Sequence, residues 1–132
     1  MRSILTISLL AAAVLACVQP ARAEMVDIAW DGDGRFTKAV TVAPGKFVEA
    51  CEKLAKGARV EWRFDAAAPL NFNIHYHVGK DVQFPEKRDA VAQGDGTLAV
   101  TLKQDYCWMW TNKGETEANL RFSLSRRPAA SR

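Results

Sequence analysis

Two stretches, "ARVEWRF" (residues 58–64) and "NFNIHYHV" (residues 71–78), alternate apolar and polar side chains along their length. A period of two marks an extended strand with one buried face. In the first stretch Val60, Trp62 and Phe64 share a face, with Glu61 and Arg63 opposite. In the second, Phe72, Ile74, Tyr76 and Val78 form the apolar face and Asn71, Asn73, His75 and His77 line the other. Ala67-Ala68-Pro69 between them predicts a break, because proline cannot donate to a strand ladder.

Working outward, further strand signals recur at short intervals. Val26, Ile28 and Trp30 alternate with Asp27 and Ala29 before the turn Asp31-Gly32-Asp33-Gly34. A run from Lys38 to Val42 ends at Ala43-Pro44-Gly45. "TLAVTL" (97–102), "YCWMWT" (106–111) and "NLRFSL" (119–124) complete the set, with Lys113-Gly114-Glu115 as the last turn. Residues 85–96 are charged and Gly-rich and read as a surface loop, preceded by a short piece at 81–84. Such punctuation predicts an all-β, antiparallel β-sandwich of jelly-roll type. One stretch disagrees. "KFVEACEKLAK" (46–56) spaces Phe47, Val48, Cys51, Leu54 and Ala55 as a short helix would, whereas a sandwich prefers a strand there.

The chain begins with a basic start, an apolar run from Ile4 to Val18 and Ala21-Arg22-Ala23, the pattern of a secretory signal peptide over residues 1–23. A single domain over 24–132 is expected to remain, exported to the periplasm or secreted. Leu15-Ala16-Cys17 offers a second reading as a lipoprotein box; only lipidation at Cys17 would place the product on a membrane. Loss of Arg2 and Arg22 takes 18 basic residues to 16, against 15 acids. No basic tract suggests nucleic acid as a partner. Cys51 and Cys107 remain after export, and two cysteines in an oxidising compartment usually pair. The alternative reading makes Cys107 a thiolate metal ligand.

An ordered set of features resembles the GOLD-type β-sandwich: Cys51, then Lys56-Gly57 before a strand, Pro69 to Ile74, and Tyr106-Cys107 with Asn112. The likeness covers about residues 38–125. It implies that Cys51 and Cys107 bridge the sandwich. The eukaryotic members act in secretory trafficking through coiled-coil and membrane segments absent from this sequence, so the resemblance bears on fold and not on activity.

The chemistry concentrates in the only two histidines. His75 and His77 share a strand face, and Met109 shares a face with Cys107 in the late strand. Two imidazoles and a thioether suit copper, particularly Cu(I), and not calcium or magnesium. Trp108 or Trp110 would shield such an ion. The donor types are similar to those of small periplasmic copper-binding proteins. A cupredoxin is disfavoured, because no histidine follows Cys107. The expectation is therefore an exported copper-binding protein with His75, His77 and Met109 as ligands. The alternative is a metal-free extracytoplasmic module for a protein or small ligand. No serine elbow, phosphate loop or His-Glu-x-x-His helix points to an enzyme.

Overall fold

The structure is a computed structural model that describes residues 23–127. Residues 1–22 of the expected leader, Cys17 among them, lie outside the described residues. Seven strands follow: β1 (Glu24–Asp27), β2 (Arg35–Val42), β3 (Phe47–Leu54), β4 (Arg59–Val78), β5 (Asp81–Ala99), β6 (Gln104–Thr111) and β7 (Ala118–Arg127). They hydrogen-bond in the order β1-β3-β6-β4-β7-β2, with β5 also paired to β4. The all-β class holds. One pairing departs from the antiparallel expectation: β1 runs parallel to β3, so the sheet is mixed.

Strand β4 organises the whole. Twenty residues in one straight strand would span about 66 Å, too long for a domain this size. The strand instead bends. Arg59 to Ala66 lie beside β7, whereas Asn71 to His75 lie beside β6. Register shifts fall between Asp65 and Leu70, around the expected break at Ala67-Ala68-Pro69. The break is thus an irregularity within one strand. It absorbs the proline's missing donor and carries the chain from one half of a curled sheet to the other.

One further expectation is corrected, and one open reading is decided. Residues 85–96 are not a loop but part of the long strand β5. Their polar character reflects exposure, and pairing with β4 supplies the backbone hydrogen bonds that local propensity does not. Gly94 and Gly96 are required there: a Cβ at Gly96 would lie 2.6 Å from the Trp62 ring, and one at Gly94 2.8 Å from Phe64. The 46–56 stretch contains strand β3 and no helix. Eight rungs with β6, from Phe47↔Thr111 to Leu54↔Gln104, override the helical spacing of its apolar residues.

Even-numbered residues of the central strands face inward. Phe72 meets Trp62 at 4.7 Å, Phe64 at 4.9 Å and Trp110 at 5.4 Å between ring centroids, and Trp110 stacks on Phe122 at 4.5 Å. These rings come from both halves of the fold and hold them together. Asn112 is buried and structural: its Nδ2 donates to the carbonyls of Val42 and Thr116, and its Oδ1 accepts from the Gly114 amide.

Candidate functional site

Because the even residues of β3, β4 and β6 form the core, the odd ones stand together on the outer face. Register then sets two rows across three strands. One row is Cys51, Cys107 and His75; the next is Glu49, Met109 and Asn73.

Cys51 and Cys107 form a disulfide, with Cα atoms 4.1 Å apart and a sequence separation of 56. The pairing is as expected, but its place is not. The bridge joins neighbouring strands β3 and β6 on one face and does not cross the sandwich. It also removes Cys107 from service as a thiolate ligand in this state. By closing a long loop it stabilises the fold by about 4 kcal/mol on the loop-entropy account.

His75 is 6% exposed. Its Nδ1 lies 2.8 Å from Asn73 Oδ1, and its Nε2 lies 3.1 Å from Glu49 Oε1. Burial holds the imidazole below its ordinary pKa; the Glu49 carboxylate pulls the other way, and His77 adds a further push down. A neutral ring carries one N–H, yet two acceptor oxygens face its two nitrogens. With Nδ1–H donating to Asn73, the Nε2 lone pair looks directly at a carboxylate. Such a contact wants a cation or a proton between its partners.

The expected copper ligands are distributed around this ring. His77 is exposed on the same face, its ring 5.3 Å from that of His75 in an edge-on arrangement. Met109 opposes Asn73 and Glu49, not a histidine, which places it four residues, about 13 Å, along β4 from His77. The structure therefore brings each of His77 and Met109 near His75 but not near one another. Trp108 and Trp110, expected as a shield, are fully buried on the inner face, on the opposite side of β6 from Met109. Strand alternation alone requires this separation.

Two residues of the site were not among the expected ligands. Asn73 was visible as a member of the histidine face. Glu49 was hidden by the helical spacing of 46–56, because only a strand there puts Glu49 and Cys51 on one side.

The distal end of the β4–β5 hairpin lies close by. Gly79, at φ 59°, takes the first position of the two-residue turn between Val78 and Asp81. Val78, Val82 and Phe84 are 49%, 38% and 48% exposed. Phe84 lies 6.1 Å from the His75 ring, and Lys87 Nζ sits 5.4 Å from the Phe84 ring centroid. On the other half of the fold, the outer face pairs opposite charges, Arg63 with Asp95 and Arg121 with Asp65, and reads as a solvated polar surface.

No family model matches the chain, and no curated protein matches it either. Among solved structures, it is similar to Aeromonas hydrophila PliG, a periplasmic inhibitor of g-type lysozyme, with a TM-score of 0.62 and 11% identity over 80% of this chain and 98% of that one. Salmonella Typhimurium PliG gives a TM-score of 0.55 and 9% identity over 80% and 99%. The pre-peptidase C-terminal domain of a Bacillus anthracis collagenase gives 0.51 and 10% over 83% and 98%. At these identities the likeness is one of fold.

Proposed function

We propose that the protein is an extracytoplasmic, non-catalytic module that binds a protein partner through the distal end of the β4–β5 hairpin. The observation that carries this reading is Val82 and Phe84, two exposed apolar side chains on the histidine face of the projecting hairpin end, with Val78 exposed on its opposite face. Grouped apolar side chains open to water mark interaction sites more often than scattered ones do. The disulfide supports an oxidising location. Likeness in fold to periplasmic lysozyme inhibitors supports both the compartment and a protein as the ligand, and makes a g-type lysozyme the first partner to try.

The test is lysis of a peptidoglycan suspension by a g-type lysozyme in the presence of the oxidised protein. Inhibition near equimolar ratio is expected, and a Val82→Glu/Phe84→Glu double variant should weaken it at least about tenfold, the loss typical of an interface anchor. Undiminished lysis at large excess would remove lysozyme as the partner. Full inhibition by the double variant would remove the hairpin end as the contact.

The copper reading has one supporting observation, the two imidazoles side by side on the outer face. It requires His75 to give up Asn73 or Glu49, and it draws Met109 from the far side of that ring. Tryptophan quenching by copper that disappears in a His75→Ala/His77→Ala variant would favour it over the module.

A further inference from the structure

We infer that reduction of the Cys51–Cys107 disulfide converts the outer face of β3, β6 and β4 into a zinc site, with Cys51, Cys107, His75 and Glu49 as the four ligands. The site is distinct from the hairpin end proposed above and uses neither His77 nor Met109.

Three of the four donors are already gathered, and His75 reaches one of them. One carboxylate oxygen of Glu49 and the sulfurs of Cys51 and Cys107 lie within 4.8 Å of one another, and Glu49 Oε1 is 3.1 Å from His75 Nε2. In a tetrahedral zinc centre, metal–ligand bonds of about 2.0–2.1 Å to nitrogen and oxygen put those two atoms about 3.3 Å apart. The observed pair is close to that spacing. The cysteines occupy directly opposed positions on antiparallel strands. Their Cα atoms are 4.1 Å apart, and once the S–S bond is broken side-chain rotation can hold two thiolates at the separation of about 3.8 Å that tetrahedral zinc needs. His75 opposes Cys107 on the third strand, so sulfur, sulfur and imidazole stand in one row.

The surroundings match as well. A metal-bound imidazole normally donates its second N–H to an oxygen that fixes the ring. Asn73 Oδ1, 2.8 Å from Nδ1, is such an acceptor. The Nε2 lone pair then faces the carboxylate, and a divalent cation between them satisfies both atoms. Two thiolates, one imidazole and one carboxylate suit Zn²⁺. A dithiol reductant supplies two electrons and two protons, the S–S bond breaks to two thiols, and the dithiol leaves as a disulfide. Zinc then displaces the two thiol protons to solvent.

The test compares the protein in oxidised form with the same protein reduced by a dithiol, freed of reductant under anaerobic conditions and titrated with Co²⁺ and then Zn²⁺. The reduced form should bind one equivalent of Co²⁺ with tetrahedral visible bands and a thiolate charge-transfer band, both lost when Zn²⁺ displaces it. The oxidised form should show no thiolate band. His75→Gln and Glu49→Gln should each weaken binding at least about tenfold, as even outer-shell losses do. A His77→Ala variant should bind as the wild type does. Near-ultraviolet circular dichroism reports whether the tryptophan core is folded. Absence of the charge-transfer band in the reduced protein would overturn the proposal. So would unchanged affinity in both His75→Gln and Glu49→Gln, or cobalt held by a chain whose core stays unfolded.

Discussion

The two ends of the β4–β5 hairpin are built from the same pair of strands and the same kind of ladder, yet they differ in what lies beside them. At the proximal end, β7 runs along β4. There Trp62 and Phe64 are each 4% exposed and lie over the glycines of β5. At the distal end, pairing of β4 with β6 ends at His75, and the hairpin continues to its turn at Gly79 with only its own two strands. Its apolar residues Val78, Val82 and Phe84 remain open to water. A hairpin alone cannot bury a face. The third strand and the opposing half of the sheet do so, and where they stop, side chains of the same type become a surface.

Three substitutions would sharpen or break this contrast. The largest effect is expected from Phe64→Ala. It empties a ring that touches Trp62, Phe72 and Trp110, and should cost about 3–5 kcal/mol in chemical denaturation. Next comes Gly96→Ala, whose new methyl would press on the Trp62 ring, itself overlaid by Arg88 at 5.0 Å; a loss of about 1–3 kcal/mol is expected in the same measurement. A neutral result would mean that Trp62 does not rest on the β5 backbone. The smallest effect is expected from Phe84→Ala, within about 0.5 kcal/mol by thermal or denaturant unfolding. A cost comparable with that of Phe64→Ala would make the distal end part of the core and take away the support for a docking surface there.

The same contrast explains which parts of the molecule could be read in advance. Alternation at Val60, Trp62 and Phe64, and again at Phe72 and Ile74, is enforced by burial of one face and so is written in the residues themselves. The resemblance carried by Cys51 and Cys107 implied the right partners. It implied the wrong place, because nothing local says whether two strands are sheet neighbours or lie in opposing layers. The middle of strand β5, residues 85–96, was illegible for a related reason. With little of it buried it carries no apolar period, and Gly94 and Gly96 look like turn residues until the rings that need them are in position. The histidine face was legible, but its true partner on β3 was not. Glu49 reaches His75 across an intervening strand, through a register that no short-range pattern encodes.

From its amino-acid order alone, this protein specifies an all-β class, a pairing of Cys51 with Cys107 and one strand face bearing both histidines. These follow from composition and from a period of two, which are properties of neighbours along the chain. Tertiary structure alone decided that β3 is a strand, that β1 lies parallel to it, and that Glu49, the disulfide and His75 meet on one outer face. Each of those outcomes depends on which strands lie side by side and at what offset, and a shift of one residue in any pairing would exchange the two faces.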